Sequence, residues 1–256
     1  MPSSPSTFVW YELMTTDLEA AEAFYREVVG WSAQDWGQPG TSYKIMSAGD
    51  RSVAGLMTLP EEARAAGGRP GWLGYIGVPD VDAAAKRLQE AGGKIHRAPA
   101  DIPEVGRFAV VADPQGAMFM LFTPSRGPGE QAAPMTTGHV GWHELYAADG
   151  ESAFAFYAGQ FGWTKDQAMD MGPMGTYQLF AAGGYPIGGM MTKPAQVPVP
   201  AWLYYFVVPG IDDAAARVRD AGGQVLNGPM EVPGGAWIIQ CLDPQGAMFA
   251  LVAAKR

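Results

Sequence analysis

One short stretch occurs twice in this chain, and it limits the possible folds more than any other feature. Trp10-Tyr11-Glu12-Leu13 stands near the start and Trp142-His143-Glu144-Leu145 near the middle. Each is followed by an aspartate, Asp17 or Asp149, and then by a small-residue segment carrying Phe24-Tyr25 or Phe156-Tyr157. The offset from Trp10 to Trp142 equals that from Tyr25 to Tyr157. A repeat this long means two copies of one domain. The 256 residues are enough for two domains of ordinary size.

Composition excludes several classes. Hydrophobic residues make up 48 % of the chain, which supports packed cores rather than disorder. A net charge of −9 argues against nucleic acid or an anionic membrane as partner. Cys241 is the only cysteine, so no disulfide framework is expected and a reducing cytoplasm fits. Residues 1–6 carry neither a basic nor an apolar run, so no signal peptide is expected. Apolar stretches are far shorter than the ~20 residues of a membrane span.

Within the first half, 8–14 is aromatic and branched and is expected as a strand. Asp17 is the expected N-cap of a helix over Leu18–Val29, and Gly30 its stop. Further strands are expected over 43–46 and 52–58, around the turn Ala48-Gly49-Asp50. Residues 59–70 are expected as a loop or short helix. A second unit follows: a strand over 72–78, a helix to Glu90 ending at Gly92-Gly93, and strands over 94–96, 107–112 and 117–122. Asp113-Pro114-Gln115-Gly116 joins the last two as a turn, because proline presets φ and glycine takes the positive-φ position. Asp113 to Phe119 recurs unchanged as Asp243 to Phe249. The second half repeats the order, so four strand–helix–strand–strand–strand units are expected. Domain 1 is placed at 7–123, a Pro/Gly-rich linker at 124–136, and domain 2 at 137–254.

With these motifs, the chain resembles the vicinal oxygen chelate superfamily, which includes glyoxalase, bleomycin-resistance protein and dihydroxybiphenyl dioxygenase. The resemblance covers 7–253. It rests on Asp-Leu-x-x-Ala-x-x-Phe-Tyr with Gly30-Trp31, on Val-Pro-x-(Val/Ile)-Asp helix starts with Ala-Gly-Gly ends, and on Asp-Pro-x-Gly before the last strand of each half. It implies an α+β fold: two tandem glyoxalase-like domains, each of two βαβββ modules forming an open, cup-shaped β-barrel around a small ligand. Metal-dependent members carry His, Gln or Glu ligands there. The resemblance puts those positions at Trp10 and Trp142, Tyr75 and Tyr205, Met120 and Ala250, and near Gly55 and Gly189. None is a normal ligand of a divalent ion, so neither metal nor other cofactor is expected. His139 and His143 do not supply an alternative, since four residues along a strand are about 13 Å apart.

Strand alternation then places the expected site. With Trp10 facing the ligand, Glu12 and Met14 face the same way, as do Trp142, Glu144 and Tyr146. The last strands add Met118, Met120 and Met248, and the second modules open with Tyr75 and Tyr205. Tyr43 and Tyr177 are further hydrogen-bond donors or core aromatics. Such aromatic and thioether surfaces suit a flat, hydrophobic organic molecule. Glu12 and Glu144 are the expected acid/base residues, since desolvation raises a carboxyl pKa toward neutrality; the alternative is that each bonds a backbone N–H or a tyrosine hydroxyl and fixes the fold. Arg107 is expected as a rim charge or an anion-steering group. The Met-rich segments 169–174 and 188–191 are expected to be adaptable lids. Two functions stand: a metal-independent lyase, isomerase or cyclase, and a non-catalytic module that sequesters a drug or metabolite. Metal-dependent glyoxalase or dioxygenase chemistry ranks behind both. A small molecule is the expected partner. A monomer carries all four modules itself, and a homodimer is the other possibility.

Overall fold

The computed structural model describes residues 6–36, 42–127, 129 and 132–256. The expectations for residues 1–5, and for Pro128, Glu130 and Gln131 of the linker, lie outside them. The first module is β1 (Phe8–Thr15), α1 (Leu18–Val29), β2 (Ser32–Asp35), β3 (Tyr43–Ala48) and β4 (Arg51–Thr58). The Asp17 side chain accepts from the Ala20 N–H at the start of α1, and Gly30 ends it at φ 87°. That left-handed geometry is open to glycine at no steric cost. A short helix, α2 (Glu61–Ala65), precedes the second module of β5 (Gly71–Gly77), α3 (Val81–Glu90), β6 (Lys94–Ile102), β7 (Gly106–Ala112) and β8 (Met118–Pro124).

The second half repeats the order: β9 (Val140–Ala147), α4 (Gly150–Phe161), β10 (Thr164–Asp170), β11 (Thr176–Ala182), β12 (Tyr185–Thr192), then β13 (Ala201–Val207), α5 (Ile211–Asp220), β14 (Gln224–Glu231), β15 (Trp237–Leu242) and β16 (Met248–Ala253). Two eight-stranded sheets result, ordered β2-β3-β4-β1-β5-β8-β7-β6 and β10-β11-β12-β9-β13-β16-β15-β14. This is the expected α+β pattern of four βαβββ modules. Each sheet ends on unpaired edges and stays open.

Two details depart from the sequence reading. The Met190-Met191 pair is not a lid. Met169 belongs to β10 and pairs with Tyr177, while Met190 and Met191 are buried in β12, which pairs with both β11 and β9. A strand hydrogen-bonded on both sides has no freedom to open. The strand expected at 94–96 continues to Ile102, past Pro99, which β6 accommodates because it is an edge strand with a register shift.

The described residues form two compact units, one from those within 1–9, 74–131 and 143–202, the other from those within 10–73, 132–142 and 203–256. In the second, Tyr25 of the Phe-Tyr motif is the core. Its ring meets Trp72 edge-on at 5.1 Å and Phe249 at 5.4 Å. Its hydroxyl donates to Asp243 at 3.2 Å and accepts from Trp72 Nε1 at 2.8 Å. In the first, Tyr157 repeats the arrangement, donating to Asp113 at 3.2 Å and accepting from Trp202 Nε1 at 3.0 Å. Each buried ring contributes about 1.5–3 kcal/mol from area alone, and the relay satisfies the polar atoms that burial would otherwise strand. Trp31 and Trp163 are buried core residues.

Candidate functional site

Two glutamate–tyrosine pairs stand out. Glu12 and Glu144 are only 5 % and 7 % exposed, and a carboxylate so placed is costly without partners. Parallel pairing of β1 with β4 sets Glu12 opposite Gly55, and pairing of β9 with β12 sets Glu144 opposite Gly189. On β3, Tyr43 leans over Gly55: a Cβ added there would fall inside its phenol. The Tyr43 hydroxyl accepts from Trp10 Nε1 at 3.2 Å and is hydrogen-bonded to Glu12. Burial, first, and the neighbouring Glu12 charge push its pKa well above the usual phenol value, so Tyr43 stays protonated and donates. The second copy matches. Tyr177 covers Gly189 and donates to Glu144 Oε2 at 2.9 Å.

The structure therefore brings Trp10, Glu12 and Tyr43 together, and Glu144 with Tyr177. Met14 follows on β1, half-buried. Tyr75 and Met120 are buried neighbours across β5 and β8. Met118, at the head of β8, is 37 % exposed. Trp142 is half-buried and Tyr146 buried on β9. Tyr205 lies opposite Ala250 and accepts from Gln240 Nε2 at 2.8 Å, a polar partner that the sequence reading did not single out. Met248 is half-buried at the head of β16. Arg107 is not an anion-steering group: its guanidinium bonds Asp82 at 2.6 Å and Asp101 at 2.8 Å, so its charge is matched within the fold.

His143 has its own role. Its ring stacks on Phe8 at 4.3 Å and its Nδ1 donates to the Ile187 carbonyl at 2.6 Å. Burial pushes its pKa down to about 4, so the ring is neutral at pH 7. A base with a depressed folded pKa gives stability that is complete above its unfolded value near 6.5 and lost as pH falls toward 4. The loss from this group should total about 3 kcal/mol, read as a falling midpoint in urea melts between pH 7 and 4. His143→Gln, which still offers an N–H to Ile187, should flatten that slope.

Two surface cavities are lined by other residues than the pairs. One, about 350 Å³, is lined by Ala91, Pro114, Gln115 and the Ser152–Gly159 face of α4. The other, about 370 Å³, lies among Gly150, Phe154, Lys165 and Thr176. Neither lining includes Glu12 or Glu144.

The sequence profile of the Glyoxalase/Bleomycin resistance protein/Dioxygenase superfamily matches residues 7–121 and again 137–251. The chain belongs to this superfamily. A Mycobacterium tuberculosis protein named as a glyoxylase, CFP32, is 33 % identical over 95 % of this chain and 93 % of its own length. The anthracycline biosynthesis protein DnrV of Streptomyces peucetius is 31 % identical over 98 % of this chain and 94 % of its own. Among solved structures, the Mn(II)-bound glyoxalase of Novosphingobium aromaticivorans has TM-score 0.66 at 17 % identity, covering 98 % of this chain and 82 % of that one. The 2,2',3-trihydroxybiphenyl 1,2-dioxygenase of Sphingomonas wittichii has TM-score 0.69 at 14 % identity, covering 98 % and 91 %. At such identities these structures share the fold.

The positions that the resemblance assigns to ligands hold indole, phenol, thioether, methyl or no side chain. Among the described residues no three His, Cys, Asp or Glu side chains come together as a metal site. Glu12 and Glu144 are each bonded to a tyrosine. This donor set does not fit a divalent ion. No helix of the described chain is long and apolar enough to cross a membrane.

Proposed function

We propose that this chain binds a small hydrophobic or aromatic organic molecule without a metal, beside the Glu–Tyr pairs, and that Glu12 or Glu144 serves as general acid/base in a lyase-, isomerase- or cyclase-type reaction. The supporting observation is the Trp10–Tyr43–Glu12 arrangement. It sets an almost fully buried carboxylate beside a hydroxyl and an indole, the placement that proton exchange with a bound ligand requires. In one copy Trp10, Met14 and Tyr43 would contact a ligand beside Glu12; in the other Tyr146 and Tyr177 would contact one beside Glu144. Tyr75, Met118, Met120, Trp142, Tyr205 and Met248 stand as further proposed contacts. The similarity to an anthracycline biosynthesis protein supports a polycyclic aromatic ligand class.

The second reading is a sequestering module with no turnover, as in the bleomycin-resistance branch. It is favoured by the presence of the same Glu–Tyr pair in both halves, since a pair kept twice serves the fold as well as a reaction. The experiment uses Glu12→Gln and Glu144→Gln. Glutamine keeps an acceptor for the tyrosine hydroxyl, so the expected stability loss is small, about 1 kcal/mol or less. In a thermal-shift screen with planar aromatic metabolites, the enzyme reading predicts that ligand binding survives and conversion, followed by mass spectrometry, falls at least ~100-fold. Binding with no conversion by the native chain favours sequestration. If neither variant alters binding or conversion of a ligand that the native chain takes, the glutamates have no functional part.

A further inference from the structure

The surroundings of Tyr43 match a phenol at each point where phenol differs from benzene. The oxygen accepts from Trp10 Nε1 at 3.2 Å. The hydroxyl donates a hydrogen bond to Glu12. The ring end lies in space that opens only because residue 55 has no side chain, and Gly55 is the residue facing Glu12 across the β1–β4 pairing. Trp36 covers the ring from another side at 5.6 Å. A strand glycine costs stability unless something must approach the backbone closely. Here what approaches is an aromatic hydroxyl, and the same device recurs as Gly189, Tyr177 and Glu144.

We infer that Trp10, Glu12 and Gly55 form a binding site for a phenolic hydroxyl, filled in the resting chain by the protein's own Tyr43, and that a free phenol enters it once that ring is removed. The donor and the acceptor lie on one strand with the opening beside them, so the site is built by β1 and β4 rather than by the tyrosine. Extended to the native ligand, the site narrows the class to hydroxylated aromatics whose hydroxyl replaces that of Tyr43 at Glu12; this extension rests on the function proposed above. It also makes Tyr43 a guard, since Glu12 acts on a ligand only after giving up the tyrosine's hydrogen bond.

The test is Tyr43→Ala, titrated with p-cresol and with toluene, which lacks the hydroxyl, and read by thermal melting. At about ten times its dissociation constant p-cresol should raise the melting temperature by ~3–5 °C, and toluene by clearly less. In Tyr43→Ala/Gly55→Ala the new methyl fills the opening and the p-cresol shift should vanish. If Tyr43→Ala does not survive purification, Tyr177→Ala repeats the test at Glu144 and Gly189, and refolding yield with p-cresol against toluene serves as readout. Equal shifts by p-cresol and toluene overturn the inference, and so does a p-cresol shift that persists with Gly55→Ala. A failed p-cresol titration beside a positive metabolite screen of the native chain removes this site but leaves the proposed function. A successful titration beside a negative screen does the reverse.

Discussion

Gly188→Ala should cost more than about 4 kcal/mol, enough to prevent folding in most hosts, whereas Gly159→Ala should stabilise by about 0.5–1 kcal/mol. The difference is one of surroundings. Gly188 lies opposite His143 on the neighbouring strand, and a Cβ there would overlap the His143 carbonyl oxygen and the Phe180 ring. Neither can yield. The carbonyl is backbone within the β9–β12 pairing, and Phe180 is fully buried and stacked on Trp163 at 4.6 Å. Moving β12 instead would pull the Ile187 carbonyl away from His143 Nδ1, leaving a buried nitrogen short of its partner, at about 1–3 kcal/mol. Gly159 lies within α4 with nothing near its missing Cβ, so alanine there only restricts the unfolded chain and favours the helix. Urea melts of the two variants decide the matter. A stable, native-like Gly188→Ala would mean that β12 does not approach β9 this closely.

The same closeness explains what could and could not be read in the sequence. The motifs that set local structure were legible because their physics is local. Asp17 and Asp149 accept from the N–H three residues on, and Gly30 and Gly162 take left-handed conformations. The strand β2 was not legible, because Ser32-Ala33-Gln34-Asp35 carries neither alternation nor branched residues and takes its place in the sheet by pairing with β3. The Glu–Tyr pairs were half legible. The two glutamates showed as polar residues inside apolar strands, with a tyrosine hydroxyl among their expected partners. The identity of that partner depends on the register that puts Gly55 and Gly189 opposite them, which no short-range pattern encodes. One signal was present: a glycine recurs at matched positions, Gly55 and Gly189, inside strands, where glycine is otherwise disfavoured. The bonding of each Phe-Tyr motif to the Asp-Pro-Gln-Gly turn of the other sequence half was not legible at all. Repeats identify equivalent residues, not which copy each one touches.

Those crosswise bonds carry the other large effect. Asp243→Ala and Asp113→Ala should each cost about 3–5 kcal/mol, far more than the lost side-chain volume would. Asp243 Oδ1 accepts from the N–H groups of Gln245 at 3.0 Å and Ala247 at 2.8 Å, and its other oxygen takes the Tyr25 hydroxyl. Alanine leaves all three donors without this acceptor, the Tyr25 hydroxyl and the Ala247 N–H in buried settings. Asparagine is a sharper probe. It keeps one oxygen for the two backbone N–H groups, but it turns an N–H toward a tyrosine oxygen that already accepts from Trp72, so Asp243→Asn should cost about 1–2 kcal/mol. Burial, offset in part by the backbone N–H bonds, raises the pKa of both aspartates. A carboxyl raised on folding contributes stability that is complete below its unfolded pKa and lost as pH rises through its folded one. The native chain should therefore lose this contribution on leaving the acid range, while the asparagine variants should not. That slope has the opposite sign to the one from His143, so melts of Asp113→Asn, Asp243→Asn and His143→Gln across pH 3 to 7 separate the two. If both asparagine variants keep the native pH slope, the aspartates are not the desolvated turn locks that these bonds describe.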